Sequence, residues 1–290
     1  MKRFGRWLIA AAIAGLVLGA ALLGYGHFIE IEQLTIHRMS PQTPRLAKAL
    51  SGKRLVIVSD LHMGKRILPR NERLAKKISE LAPDYILIIG DMMAYRGTPD
   101  AAIAWMKTLP PTSGTYAVLG DSDTMGGARN CAYCHEQGST KLHPAFSLPP
   151  DQVVDSTTPV RMLNQRFEML AGTESPVVIA GTSPEWIEPD LSFLDDAPKD
   201  APVILLSHYP ETLTEAQHRR VDLLIAADTH GGQIWAPEFV YRLVFRPSRA
   251  KYRHGLFQED PTSMLVTSGF GNALMPVRIG VVPEVVVVDF

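Results

Sequence analysis

Cysteine is nearly absent. Two occur in 290 residues, both within Cys131-Ala132-Tyr133-Cys134-His135. A small fold stapled by several disulfides is therefore excluded, and stability must come from apolar packing, for which this length allows one large core or two small ones. Excess charge of either sign is also missing: the formal net charge is −1. The basic bias of a nucleic-acid binder is not there. The chain has no internal repeat and no low-complexity tract, which argues against a solenoid or a disordered linker.

Charge is also missing locally, and there its absence is informative. Trp7 to Gly26 is twenty residues without a charge, preceded by Lys2, Arg3 and Arg6 and followed by no Lys or Arg until Arg38. Such a stretch can cross a bilayer as a helix. The charge asymmetry predicts a cytoplasmic N-terminus and an exported, periplasm-facing remainder. An uncleaved single-pass anchor is favoured over a cleaved signal peptide with Gly19-Ala20-Ala21 as its small-residue site, because the apolar stretch is longer than a usual signal core.

Beyond residue 26 the chain alternates strand-like and helix-like runs. Residues 27–52 read as a first strand (Glu30 to His37) and a Pro/Ser/Gly-bearing connector. Residues 53–290 read as one domain. Arg54–Ser59, Tyr85–Ile89 and Thr115–Leu119 are buried-type strands, separated by an amphipathic helix carrying Leu74, Ile78 and Leu81 and by a short helix over 99–108. This βαβαβ order predicts a sheet that begins parallel. Residues 124–158 hold both cysteines and little periodicity, and read as an inserted loop. Strand-like runs resume at Val160–Leu163, Phe167–Ala171, Val177–Ala180, Val203–Leu206, Leu223–Ala226, Met264–Thr267 and Glu284–Val288. So many strands imply an α/β fold of two sheets packed face to face with helices outside.

Several strands end in metal-type ligands: Ser59-Asp60-Leu61-His62, Gly90-Asp91, Gly120-Asp121-Ser122-Asp123, Ser207-His208 and Asp228-Thr229-His230. Ligand sites in α/β sheets lie at the carboxyl ends of the strands. Asp60 and His62 are two apart, as are Asp228 and His230, so each pair can face one ion. Asp91, after a glycine, can bridge two ions. Seven ligands exceed one tetrahedral zinc and suit two adjacent metals sharing a carboxylate. Singly, each element has a plainer explanation: Asp60 or Asp91 as a helix N-cap, His208 as a hydrogen-bonded core histidine.

Together with Leu206-Ser207-His208-Tyr209-Pro210 and Asp228-Thr229-His230-Gly231-Gly232-Gln233, these segments resemble the five motifs of the calcineurin-like metallophosphoesterases. The Gly-Gly-Gln tail, the N-terminal helix and the closing Pro283-Glu284 resemble the membrane-anchored bacterial branch. The resemblance spans roughly residues 29–290. It implies a four-layer α/β/β/α sandwich of two mixed sheets preceded by one transmembrane helix. It also implies two divalent ions (Mn²⁺, Mg²⁺, Fe²⁺ or Zn²⁺). One would be held by Asp60, His62, Asp91 and His230, the other by Asp91, Asp121, His208 and Asp228. A bridging hydroxide would hydrolyse a phosphodiester or phosphoanhydride. UDP-acyl-sugar pyrophosphatases of lipid A synthesis are similar in motif, so the resemblance extends to a lipid-linked substrate, but they act on the cytoplasmic side, against the topology read above. No nucleic acid and no obligate protein partner is implied.

Two positions depart from the family pattern. Asp121 and Asp228 stand where Asn and His are usual, making the second site oxygen-rich and suited to Mn²⁺ or Mg²⁺. The added charge should bind metal well and weaken the pull on an anionic substrate. Ser122 stands where a histidine assists the leaving group, and serine cannot carry a proton near neutral pH. Asp123, His135 or His143 could substitute; a phosphoanhydride could need no acid; or hydrolysis could be lost, leaving an anchored binding domain. The Cys131, Cys134 and His135 cluster admits a disulfide, a c-type haem with His143 as second axial ligand, or a small zinc site using His143. With haem the chain would be a redox module. The basic tract Tyr241–Phe257 reads as a solvated loop, or as a patch for anionic substrate or lipid headgroups.

Overall fold

The computed structural model describes residues 2–94, 99–124, 157–182, 189–245, 247–273 and 275–290. Cys131, Cys134, His135 and His143 lie outside the described residues, as does nearly all of the expected inserted loop.

Helix α1, Lys2–Phe28, carries the uncharged stretch. At 1.5 Å per residue it is about 40 Å long, enough to cross a hydrocarbon core. Its apolar side chains are exposed throughout, as Trp7 and Leu16 illustrate at 75% each. The remaining helices are α2 (Pro44–Ala49), α3 (Pro69–Glu80), α4 (Pro99–Met106), α5 (Asp121–Thr124), α6 (Leu213–His218), α7 (Glu238–Val244) and α8 (Pro247–Lys251). The strands are β1 (Thr35–Arg38), β2 (Arg54–Val58), β3 (Tyr85–Ile89), β4 (Gly114–Val118), β5 (Val160–Met162), β6 (Arg166–Met169), β7 (Val178–Gly181), β8 (Val203–Leu206), β9 (Leu223–Ala226), β10 (Gly255–Glu259), β11 (Thr262–Val266) and β12 (Glu284–Asp289).

They form two six-stranded mixed sheets, ordered β1-β12-β2-β3-β4-β5 and β10-β11-β9-β8-β7-β6. In the first, β2 to β5 run parallel and β12 is antiparallel to β2. In the second, β7, β8, β9 and β11 run parallel, flanked by antiparallel β6 and β10. Alternation along each strand sorts the core into layers. Leu55, Ile57, Leu87 and Ile89 face Ile179, Ile204, Leu206 and Ile225 across the inter-sheet core. Val56, Val58, Ile86 and Ile88 face outward onto Leu74 and Ile78 of α3 and Trp105 of α4. Val178, Leu205 and Leu224 pack on Leu213 and Ala216 of α6. The four-layer α/β/β/α sandwich follows from this burial.

Three local expectations change. The strand anticipated from Glu30 begins only at Thr35, and Glu30–Glu32 is a 3-10 turn. Glu30 is buried there and accepts from the Val281 amide at 2.8 Å, a partner that strand alternation would not supply. The connector over 38–52 contains α2, with Pro44 in its first turn and Leu46 in the inter-sheet core. The tract Tyr241–Phe257 is not one loop: it holds most of α7, all of α8 and the start of β10.

Candidate metal centre

Strands β2, β3 and β4 end together, as do β8 and β9, and all seven ligand-type side chains meet between those ends. His62 Nε2 lies 3.1 Å from His230 Nε2, and the two rings stack with centroids 5.0 Å apart. His230 Nε2 is 3.5 Å from Asp60 Oδ1. Asp91 spans the middle: Oδ2 is 3.4 Å from His62 Nε2, and Oδ1 is 3.4 Å from His208 Nε2. His208 Nε2 is 3.7 Å from both Asp121 Oδ1 and Asp228 Oδ1. Asp60 with His62 and His230, and Asp121 with His208 and Asp228, can each hold an ion.

The backbone bends sharply to bring them in. Asp60, His62, Asp91, Asp228 and His230 all have positive φ, between 43° and 66°. Such residues cluster at functional sites, where surrounding structure over-determines them. Here the over-determination is visible as continued pairing beyond the strands: Asp60 N donates to Gly90 O at 3.0 Å, and His62 N to Asp91 O at 2.9 Å. Gly120 makes a close approach possible, because a Cβ there would lie 2.0 Å from Asp91 Oδ1. His208 Nδ1 bonds the Ile89 carbonyl at 3.0 Å, which turns Nε2 into the cluster.

The electrostatics call for cations. Burial raises Asp60, raises Asp91 far above the usual carboxylate range, and lifts Asp228 to about 7. It lowers His62 to about 4 and His230 well below its normal value. His208 goes the other way: burial would lower it, but Asp91, Asp121, Asp228 and Asp60 together raise it well above. Asp60 Oδ1 and His208 Nε2 are buried with no hydrogen-bond partner among the described residues. Buried lone pairs aimed at one another are what a metal would satisfy. The donor set therefore fits divalent ions.

Two arginines flank the cluster. Arg249 of α8 places Nη2 2.7 Å from Asp228 Oδ2, and its Nε donates to Glu211 at 2.9 Å. It belongs to the basic tract, yet its role was not legible there. Arg278 is fully buried. It donates to the carbonyls of Ser268, Gly271 and Val281 and lies 3.5 Å from His230 Nδ1. A lone arginine in a stretch without periodicity gave no sequence signal.

Ser122 and Asp123 are committed elsewhere. Ser122 Oγ donates to the Met93 carbonyl at 2.7 Å, while its amide donates to Asp91 Oδ1 at 3.0 Å. Asp123 accepts the Met93 amide on one oxygen and the Gly120 amide on the other. Both tie the β3 and β4 loops together, and neither presents a proton to the centre.

Residues 53–232 match the calcineurin-like phosphoesterase family. A transmembrane protein with a metallophosphoesterase domain from Danio rerio is 24% identical over 92% of this chain, which spans 60% of that protein's length. The UDP-2,3-diacylglucosamine pyrophosphatase LpxG of Chlamydia trachomatis is 24% identical, covering 88% of this chain and 89% of its own. The uncharacterized metallophosphoesterase YkuE of Bacillus subtilis is 23% identical, covering 99% and 96%.

Proposed function

We propose, for a chain that belongs to the calcineurin-like phosphoesterase family, that it is a membrane-anchored binuclear hydrolase of a lipid-linked phosphoanhydride. The observation that carries the hydrolase reading is Asp91, with one oxygen toward His62 and the other toward His208. Asp60, His62, Asp91 and His230 would hold one ion, and Asp91, Asp121, His208 and Asp228 the other. Two divalent ions held there would supply Lewis acidity to phosphate oxygens and would lower the pKa of water. The chain's own groups orient and balance. His208 is aimed by the Ile89 carbonyl, and Arg249 offsets the extra charge of Asp228.

The phosphoanhydride preference rests on the acid position. Ser122 and Asp123 are both bonded to backbone, so among the described residues neither offers a proton to a poor leaving group. A phosphate leaving group needs none. The relative named as a UDP-diacylglucosamine pyrophosphatase supports the same class.

The lipid reading rests on where α1 ends. The Gly26 carbonyl accepts from the Arg278 amide, and His27 Nδ1 lies 2.7 Å from the Pro276 carbonyl. Arg278 in turn reaches His230. The centre is thus a few residues from the point where the chain leaves the apolar helix. Trp235, Phe239, Leu243 and Met275 are exposed on the neighbouring segments, a surface suited to acyl chains. The cations at the start of α1 support a cytoplasmic N-terminus and a periplasmic centre.

The full chain in detergent, assayed with Mn²⁺ on an aryl phosphodiester and on a lipid-linked pyrophosphate, tests this. Turnover that disappears in Asp91→Asn supports a hydrolase; preference for the pyrophosphate supports the substrate class. Folded, metal-loaded protein inactive on both would refute the proposal.

A further inference from the structure

Outside the main centre, three side chains from separate elements converge on one point. His37 of β1 places Nδ1 2.8 Å from Glu284 Oε2, and His254, just before β10, places Nε2 2.9 Å from the same oxygen. The imidazole rings lie 5.5 Å apart, tilted by 46°. One ligand atom from each residue falls within 4.8 Å of the other two. None of the three belongs to the centre described above.

The carboxylate is built like a ligand. Glu284 is 1% exposed, and its other oxygen accepts from Thr267 Oγ1 at 2.8 Å and the Ser268 amide at 2.7 Å. Those bonds fix its orientation, as outer partners of metal ligands do. The two histidines are partly exposed, at 40% and 34%, and open onto a cavity of about 470 Å³. Lys251, Arg253 and Trp235 stand on its wall, with Gly231, the neighbour of His230.

We infer that His37, His254 and Glu284 form a further site for a divalent transition metal of the zinc class, with open coordination toward that cavity. Two imidazoles and one carboxylate leave room for water or an exogenous ligand. On that wall Lys251 is paired with Glu259, which leaves the Arg253 guanidinium to favour an anionic ligand. Nitrogen ligands distinguish this site from the oxygen-rich pocket around Asp121 and Asp228, so the two should sort ions differently: Zn²⁺ here, Mn²⁺ or Mg²⁺ there. Binding would replace the two imidazole contacts to Glu284 by two nitrogen lone pairs on the ion. It would also clip β1, which follows the apolar helix, to β12 and to the chain entering β10.

The test is metal stoichiometry, not turnover. Full-length protein saturated with Mn²⁺ is dialysed against low Zn²⁺ and its metals are counted. We expect the total metal count to rise by one equivalent, taken up as Zn²⁺. His37→Gln and His254→Gln, both at partly exposed positions, should each weaken it by more than the roughly 10–100-fold that losing an outer partner costs. Asp91→Asn should lose Mn²⁺ and keep Zn²⁺, so failure of the main centre is distinguishable from failure here. Zinc that only displaces manganese, or that persists in both histidine variants with folded circular dichroism spectra, overturns the inference.

Discussion

Removing metal should make the fold less stable as pH rises above about 6.5, and Asp228 shows why. Burial, opposed by Arg249 and His208, raises its carboxyl from 3.8 to about 7. A raised acid stabilises the fold fully below its unfolded value, and the contribution is lost as pH climbs through the folded one. At about 1.4 kcal/mol per unit the whole interval amounts to about 4 kcal/mol, of which about 1 kcal/mol is lost above pH 6.5. His208 acts in the same direction there, because a raised histidine contributes fully below its unfolded value and loses that as pH rises through the folded one. His62 and His230 are lowered, so they oppose: half of each is still protonated in the unfolded state at pH 6.5, and each returns about 0.4 kcal/mol as pH rises further. Their sum roughly offsets the Asp228 loss above 6.5, so the net fall there is carried by His208, which loses about 1.4 kcal/mol per pH unit between its unfolded and folded values. Bound Mn²⁺ requires deprotonated ligands, so loaded protein should show no fall, or a rise, over the same range. Urea denaturation at pH 6.5 and 8.5, with chelator or with Mn²⁺, reads both slopes. Asp228→Asn should remove about 1 kcal/mol of the metal-free fall. Metal-free stability that is flat or rises with pH would refute the electrostatic account.

Other perturbations separate structure from chemistry. Ser122→Ala removes the bond to the Met93 carbonyl; it should cost about 1 kcal/mol in denaturation and leave kcat on an activated aryl ester within about threefold, whereas a hundredfold loss would make Ser122 part of proton transfer. Arg249→Met strips the cation from Asp228, so Mn²⁺ should bind several-fold tighter while kcat/KM for an anionic ester falls; equal affinity in a titration would contradict the compensation. Arg278→Met leaves several buried carbonyls without a donor and should cost about 3–5 kcal/mol, with weaker metal retention through His230; a loss below about 1 kcal/mol would argue against it. Trp235→Ser with Phe239→Ser should slow turnover of vesicle-borne substrate and leave a soluble ester unchanged.

What could be read from sequence was what repeats locally. Strands β2, β3, β8 and β9 are buried on both faces, so each is an uninterrupted apolar run, and each ends in an Asp or His that no core strand would need. Helix α3 announced itself by Leu74 and Ile78 one turn apart. What could not be read depends on distant partners. Strand β10 is an edge strand whose Leu256 and Gln258 point to solvent, and what holds it, pairing with β11 and Phe257 on the core, comes from elsewhere in the fold. Helix α2 is six residues long, too short for periodicity to show, and Leu46 finds its core only across the sheets. The same limit applied to charge. Counted along the chain, Asp228 is a surplus carboxylate that should weaken the centre's hold on an anionic substrate. In space, Arg249 from the basic tract sits on it, and the surplus is balanced where it arises.

That balance bears on why the centre and the fold are one problem. Five ligand-type residues occupy the left-handed region, at roughly 1 kcal/mol or more each for a non-glycine residue. Four carboxylates meet in a buried space with two arginines, and two ligand atoms, Asp60 Oδ1 and His208 Nε2, have no hydrogen bond among the described residues. Each feature is unfavourable for the metal-free chain, and each is relieved or used by cations. The extended pairing beyond β2 and β3 and the fixed bonds of Ser122 and Asp123 keep the arrangement from relaxing. A site that could relax would satisfy its own lone pairs with water or rotamer changes. One held open by backbone cannot, so metal loading should stabilise the two sheets against each other as well as supply the chemistry.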